Sequence, residues 1–422
     1  MKYGLILEGG GAKGSYQIGA VRALKEMDYE FKGVAGTSIG ALNGALIVQN
    51  DLDKAYDLWY NISPEKIFNI KQEALDKIKK LNFDKKDLSY LWNQVKNIVD
   101  NKGLDVSLIE DIVKENVEEE KIRSSDKDFG IVTVSISDMK PVKIYIEEIP
   151  KGRLVDYLLA SSNLPTFKQE KRNGKYFLDG GFYDNLPVDM LIDKGYENII
   201  VIRTHGLGIT RDIKNKEKIN IKYIEPEEDL GNILDFDTKI ARRNLKLGYL
   251  DAKRVFNDNI RGHDYYIKID KESDYFLNLL MNIPNKSIKR ISDFLGYDEM
   301  YPRRALFEVI IPRLAGFLDL DGDHDYVDIM VAVLEVIAKK IKLEPLKIYQ
   351  FDEFVKAISE QYEPKKVNEV NVPKFVKKSE ILSKTIKDKI IDLVIAELFD
   401  NIINRKGEYK NGWLYDKSFN KK

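Results

Sequence analysis

The chain has 422 residues, 43% of them hydrophobic and 32% charged, which is the composition of a globular protein with one or two cores and excludes disordered and collagen-like chains. Its 68 Lys and Arg residues nearly balance its 69 Asp and Glu residues, so charge gives no reason to expect nucleic acid as a partner. Cysteine is absent, which excludes disulfides, cysteine-ligated metals and a thiol nucleophile and agrees with a reducing cytoplasm.

The first half of the chain alternates strand-like and helix-like segments. Residues 3–8 predict a buried strand and 15–27 a helix, and residues 31–38 and 39–49 repeat the pair. This β-α-β-α opening favours a parallel or mixed sheet covered by helices. Further strands are predicted at 129–137, 143–149, 175–180, 198–204, 219–225 and 264–269.

Two regions interrupt or follow this alternation. Residues 51–125 are charged and largely helical in pattern, and we expect them to form an insertion that walls a cleft. After about residue 275 only helix-period segments remain, at 302–318, 326–342, 351–362 and 384–403. The sequence therefore predicts two domains, 1–275 and a helical 276–422 of unknown role.

A glycine-rich stretch lies between the first strand and the first helix. Gly9, Gly11 and Gly14 satisfy G-x-G-x-x-G, and Asp28 or Glu30 follows about 20 residues on, as in a dinucleotide-binding fingerprint. A second role is equally open for this stretch, since backbone N–H groups without neighbouring side chains can converge on a substrate oxygen that becomes negative.

The segment GTSIG at 36–40 favours the second role. Ser38 leaves a predicted strand and enters a predicted helix, which is the setting of a nucleophile elbow. Gly36 and Gly40 suit the tight turn and close helix packing that such a serine requires. Gly9, Gly10 and Gly11 would then supply an oxyanion hole.

A nucleophilic serine also needs a base, and the residues alone leave two answers. Of the three histidines, His205 follows a predicted strand, whereas His263 and His324 lie in polar, charged segments. Asp179 also follows a predicted strand, directly before Gly180 and Gly181. A Ser-His-Asp triad and a histidine-free site both remain possible at this point.

Four motifs together resemble those of the patatin-like phospholipases. GGGAKG (9–14), GTSIG (36–40), ASSNLPTF (160–167) and DGGFYDNLPV (179–188) stand in that family's order and approximate spacing. The resemblance covers roughly residues 1–270. It implies a three-layer α/β/α fold with a mainly parallel central sheet, here followed by the helical C-terminal domain.

The resemblance also implies roles for individual residues. Ser38 corresponds to the family's nucleophile and Asp179 to its general base, without histidine. Gly10 and Gly11, with Ala12, correspond to the oxyanion hole, and Lys13 to the family's basic position. The remaining motif positions are Gly9, Gly14, Gly36, Gly40, Gly180 and Gly181.

The reaction implied is hydrolysis of lipid or fatty-acyl esters by acyl transfer to serine, with no metal or cofactor. A carboxylate with a pKa near 4 is a weak base for this purpose, so we expect burial to raise the pKa of Asp179. The acidic loop at 319–328 departs from a calcium-binding pattern, and we expect Asp325 or a neighbour to cap the next helix instead.

Two other functions remain as alternatives: a nucleotide-binding protein that uses Gly9, Gly11 and Gly14, and a catalytically silent interaction scaffold. No segment reaches the roughly 18 apolar residues that cross a bilayer, and the N-terminal apolar run is too short for a signal peptide. We therefore expect a cytoplasmic protein that touches membranes only transiently at their surface. Acyl-chain length, headgroup and oligomeric state stay open.

Overall fold

The computed structural model describes residues 2–68, 105–172, 174–213, 216–320, 322–362, 387–388 and 391–397. The chain divides into two compact units, Met1–Phe256 and Asn257–Lys422. The division after Phe256 lies earlier in the sequence than the predicted boundary near 275. The reason is that the strand predicted at 264–269 pairs within a sheet of the second unit.

The first unit is built on one sheet. Its strands are β1 (Tyr3–Leu7), β2 (Phe31–Thr37), β3 (Asp128–Ser135), β4 (Lys140–Tyr145), β5 (Phe177–Asp179), β6 (Asn198–Ile202) and β7 (Asn220–Ile224). The strands predicted in this unit are confirmed. Apolar runs account for β1, β3 and β6, which are buried on both faces along most of their length, whereas β4 and β7 are partly exposed and contain lysine among their apolar residues.

The order of the strands is β4-β3-β2-β1-β6-β7, with β5 pairing to β3 off this path. Strands β1, β2, β3, β6 and β7 are parallel neighbours, whereas β4 and β5 run antiparallel to β3. The predicted α/β class with a mainly parallel sheet is confirmed. In parallel strands the carboxyl ends share one edge of the sheet, and in such folds ligands bind at that edge.

The helices of the first unit are α1 (Gly14–Glu26), α2 (Ile39–Val48), α3 (Leu52–Tyr60), α4 (Pro64–Ile67), α5 (Ser107–Asn116), α6 (Glu119–Arg123), α7 (Leu154–Ser161), α8 (Val188–Asp193) and α9 (Thr238–Val255). They cover both faces of the sheet. Leu191 on α8 packs in one buried cluster with Ile6 and Val132, while Gly44 on α2 lies against Leu7 and Val34 on the opposite face. The unit therefore has three layers.

The second unit is mainly helical. Its described helices include Ser273–Met281, Asn285–Phe294, Pro302–Ala305, Ile311–Phe317, Tyr326–Lys340 and Phe351–Gln361, with a π-helical turn at Leu306–Ile310. It also contains a small sheet of β8 (Ile260–Arg261), β9 (Tyr266–Lys268) and β10 (Ile348–Gln350). Of the helix predicted at 384–403, residues 391–397 are described and helical, and most of the rest lies outside the described residues.

The acidic loop of the second unit ends in a helix cap, as the sequence predicts. The Asp325 carboxylate accepts the Asp328 N–H at 3.0 Å, and the Asp328 carboxylate accepts the Asp325 N–H at 3.0 Å. This reciprocal capping box satisfies two backbone donors that the first turn leaves free. Among the described residues, no helix combines the length and apolarity needed to cross a bilayer.

Candidate active site

Ser38 lies in the turn between β2 and α2. Its backbone has φ 57° and ψ −127°, a conformation that residues with a side chain rarely adopt and that costs about 1–3 kcal/mol. A Cβ on Gly36 would lie 2.4 Å from the Gly40 carbonyl carbon, and one on Gly40 would lie 2.2 Å from the Leu7 oxygen. Both glycines are therefore required for the turn to close.

The register of the sheet brings Asp179 to this turn. Thr37, the last residue of β2, pairs with Val132 on β3, and Asp179, the last residue of β5, pairs with the next residue, Thr133. Strand β4 pairs with one edge of β3 along residues 130–135, so β2 and β5 both pair with the opposite edge of β3. The end of β2 therefore lies next to the end of β5. Ser38 thus begins its helix beside Asp179.

The Asp179 carboxyl group is buried, with 3% of its surface exposed. Its Oδ1 accepts the Gly181 N–H at 2.8 Å, and its Oδ2 is buried without a hydrogen-bond partner in the described part of the chain. Burial raises the pKa of Asp179 to about 6, and the nearby Ser38 hydroxyl and Gly181 N–H only partly offset this. The direction agrees with the expectation from the sequence, and the carboxyl group titrates close to neutral pH.

Two residues of the ASSNLPTF segment hold this arrangement, although the sequence assigned them no role. The Ser161 hydroxyl accepts the Ser38 N–H at 2.9 Å and donates to the Val132 carbonyl at 2.6 Å. The Asn163 carbonyl accepts the Asp179 N–H at 2.9 Å. The signal in the sequence was a group of three polar residues, Ser161 to Asn163, directly after an apolar helical run, which is too common a pattern to single out two of them.

We predict that Ser161→Ala destabilises the protein by about 1–3 kcal/mol, because it leaves the buried Ser38 N–H and Val132 carbonyl without partners. Urea unfolding measures this change. Ser162→Ala is the matched control, since the Ser162 hydroxyl bonds back to the carbonyls of Leu158 and Leu159 on its own helix, at 3.1 and 3.4 Å. Equal effects of the two substitutions would contradict the positioning role of Ser161.

The glycine-rich loop packs against the Ser38 turn. A Cβ on Gly9 would lie 3.2 Å from Ser38 Cβ, and Gly11 has φ 55°, a left-handed conformation that suits glycine. The Ala12 N–H donates to the Ile233 carbonyl at 2.8 Å and is therefore engaged. Within the described chain the Gly10 and Gly11 N–H groups donate no hydrogen bond, so two of the three amides predicted for an oxyanion hole are available.

Lys13 and His205 meet through the backbone next to this loop. The Lys13 ammonium donates to the His205 carbonyl at 3.1 Å, and the buried Glu8 carboxylate accepts the His205 N–H at 3.0 Å. The His205 ring points elsewhere, with Nε2 3.9 Å from the Glu225 carboxylate. The sequence analysis did not single out Glu8, because it is one charged residue at the end of an apolar strand segment. His263 and His324 belong to the second unit.

A cavity of about 1160 Å³ opens next to Ser38 and Gly11. One face of α2 contributes Ile39, Leu42 and Leu46, spaced so that they line up along the helix. The predicted insertion also lines the cavity, with side chains from residues 54–67 and 105–117. The rest of that insertion, at 69–104, lies outside the described residues. The wall is therefore largely apolar near the serine, with charged side chains from α3, α5 and residues 168–172 around it.

Fold and site together define an α/β protein with a serine at a strand-to-helix turn, a buried carboxyl group beside it and a glycine-rich loop packed against the turn, with Ser38 and Gly11 lining one cavity. The model of the patatin-like phospholipase family matches residues 5–192. The match covers 188 of the 422 residues and lies within the first unit, which resembles this family over that range.

Three curated proteins are similar to about half of the chain. The chain is similar to patatin-like phospholipase domain-containing protein 7 of Rattus norvegicus, with 27% identity over 201 residues, which is 47% of this chain and 13% of that protein. Neuropathy target esterase sws of Drosophila melanogaster is 26% identical over 202 residues, 47% of this chain and 12% of that protein. Lysophospholipase nte1 of Aspergillus terreus is 30% identical over 204 residues, 47% of this chain and 12% of that protein. The chain thus spans only a small part of the length of these relatives.

Proposed function

We propose that the unit Met1–Phe256 is a serine acyl-hydrolase of the phospholipase A or carboxylesterase type, with Ser38 as nucleophile and Asp179 as general base. The observation that carries this proposal is the register of β3, whose pairing with β2 and β5 sets a buried carboxyl group beside a serine in a strained turn. Strain of this kind concentrates at functional sites.

The reaction proceeds in two balanced halves. Asp179 takes the hydroxyl proton of Ser38, whose oxygen bonds to the ester carbonyl carbon, and the alcohol leaves with that proton as the tetrahedral intermediate collapses. Water then attacks the acyl-serine, with Asp179 again as base, and releases the carboxylic acid. The Gly10 and Gly11 N–H groups donate to the oxygen that becomes negative in each half.

The apolar lining of the cavity supports a fatty-acyl ester as the proposed substrate. Ile39, Leu42 and Leu46 extend from Ser38 along α2, and at about 1.5 Å per residue this apolar stripe is about 12 Å long. Because an extended alkyl chain is a zigzag, it advances less than its bond length of about 1.5 Å per carbon, so roughly ten carbons match that length. Such a substrate resides in membranes, so we propose a cytoplasmic enzyme of lipid degradation that contacts membrane surfaces transiently and needs no cofactor for this step.

The test is hydrolysis of a short-chain and a long-chain p-nitrophenyl ester and of one phospholipid. We expect turnover with a preference for the longer chain, because the longer chain removes more apolar surface from water. His205→Ala should keep most of this activity, since its ring lies beside Glu225. A folded wild-type protein that leaves all three substrates intact would overturn the proposal, and an inactive His205→Ala would replace the two-residue site by a triad.

A further inference from the structure

Two loops form one exposed surface beside the candidate active site. The turn between β3 and β4 contains Met139, and the segment before β5 contains Tyr176. The Ile136 N–H donates to the Tyr176 carbonyl at 2.9 Å, and the Tyr176 N–H donates to the Ser137 hydroxyl at 2.9 Å. These bonds hold the two loops side by side at the carboxyl edge of the sheet.

This surface combines exposed apolar side chains with basic ones. Met139 is 92% exposed at the tip of its turn, and Tyr176 is 39% exposed. We define the basic patch as Met139, Lys140, Lys171, Lys175 and Tyr176. The Lys171 ammonium lies 5.5 Å from the centre of the Tyr176 ring. An exposed methionine and tyrosine among lysines is the composition of a surface that meets lipid headgroups, where aromatic rings and long cationic chains bridge apolar and polar surroundings.

The charge of the patch is only partly neutralised by its own neighbours. Lys175 bonds to Asp138 at 2.7 Å, and the adjacent Lys168 bonds to Glu170 at 2.9 Å. Within the described chain, neither Lys140 nor Lys171 makes an ion pair, although Lys140 lies near the Asp138 carboxylate that Lys175 binds. Two exposed ammonium groups therefore remain for an anionic partner, and each Lys near an anionic membrane contributes about fivefold to binding.

The patch also borders the cavity. Tyr176 precedes Asp179 by three residues of extended chain, about 10 Å. Lys168, Glu170 and Arg172, from the segment that carries Lys171, line the cavity that contains Ser38. A bilayer touching the patch would therefore lie next to the cavity.

We propose that the basic patch docks the first unit on an anionic phospholipid bilayer, with Met139 and Tyr176 entering the headgroup region and the cavity next to the lipid. This proposal rests on the proposed function in that it takes a membrane lipid as the substrate. We infer a bilayer surface as the partner because the positive charges of the patch lie beside Met139 and Tyr176, two apolar side chains that are exposed to solvent.

The experiment is sedimentation of the full chain with vesicles of phosphatidylcholine, with and without phosphatidylglycerol. We expect binding that depends on the anionic lipid, and Lys140→Glu with Lys171→Glu should weaken it at least about thirtyfold. Lys2→Glu with Lys218→Glu is the matched control: it makes the same change in net charge, at exposed lysines by the amino ends of β1 and β7, the opposite edge of the sheet. The control should bind within about threefold of wild type.

Hydrolysis of a soluble short-chain ester separates this proposal from the proposed function. Both double variants should hydrolyse it like wild type, which also shows that they fold. Met139→Ser tests the apolar part without any change in charge and should weaken vesicle binding as well. Equal losses in the patch and control variants, or wild-type binding that ignores the anionic lipid, would overturn the docking surface. Patch-dependent binding by a folded protein that cleaves no ester would overturn only the proposed function.

Discussion

Ser38→Ala is expected to lower ester hydrolysis at least about a thousandfold, because it removes the oxygen that we propose forms the acyl-enzyme. The fold should persist. The backbone N–H that bonds to Ser161 remains, and alanine meets the same backbone strain as serine at φ 57°. Initial rates on the long-chain p-nitrophenyl ester measure the loss, and circular dichroism and urea unfolding check the fold.

Covalent labelling makes this result independent of the choice of ester. An alkyl fluorophosphonate should bond through phosphorus to the Ser38 oxygen with loss of fluoride, and peptide mass spectrometry should find the label on the peptide that contains Ser38. The Ser38→Ala protein should remain unlabelled under the same conditions. Hydrolysis that survives in a folded Ser38→Ala protein, or a label on another serine, would remove Ser38 from the mechanism.

The contrast between Ser38 and Asp179 explains how much of this site the sequence could predict. The turn around Ser38 is a local feature, since Gly36 and Gly40 lie within two residues of it and the flanking apolar runs predict the strand and the helix. Asp179 reaches the same turn only through its pairing with Thr133 on a third strand. Register between distant strands cannot be read from periodicity, so the resemblance to a family was needed to choose Asp179 over His205.

Other features depend on tertiary contacts in the same way. The Ala12 amide was predicted to join Gly10 and Gly11 in the oxyanion hole, yet it donates instead to the Ile233 carbonyl of a loop distant in sequence. Strand β10 is three residues long, too short to stand out in the sequence, and it pairs with β9, which lies some 80 residues earlier. The buried strands β1, β3 and β6 were predictable because burial on both faces requires a continuous apolar run in the sequence.

Asp179→Asn is expected to reduce hydrolysis by a factor on the order of a thousand, because an amide cannot accept the Ser38 proton. In the wild type, kcat/KM should fall about tenfold per pH unit below the pKa of about 6, since a protonated Asp179 is no base. A pH–rate profile of the wild type checks the second result. Activity that stays level down to pH 4 would contradict the assignment of Asp179 as base.

The same substitution should stabilise the protein at pH 8. The pKa of Asp179 rises from 3.8 to about 6 on folding, so the native state holds a proton that the unfolded chain releases between these values. The free energy of unfolding therefore falls as the pH rises from 4 to beyond 6, by about 3 kcal/mol at 1.36 kcal/mol per unit. Asparagine keeps an oxygen for the Gly181 N–H and removes this pH dependence. The variant should match wild type near pH 4 and exceed it by up to about 3 kcal/mol at pH 8.

A second buried aspartate in the same segment provides the control for this stability prediction. Asp184 is as buried as Asp179, but its carboxylate lies 2.7 Å from the Lys143 ammonium. Asp184→Asn should destabilise the protein at pH 8, because it leaves Lys143 unpaired beside a buried amide. Urea unfolding of both variants across pH 4–8 compares them directly. Opposite effects of the two substitutions would indicate that the Asp179 carboxyl group lowers the stability of the protein and is retained for its chemistry. Effects of the same sign in both variants would contradict this interpretation.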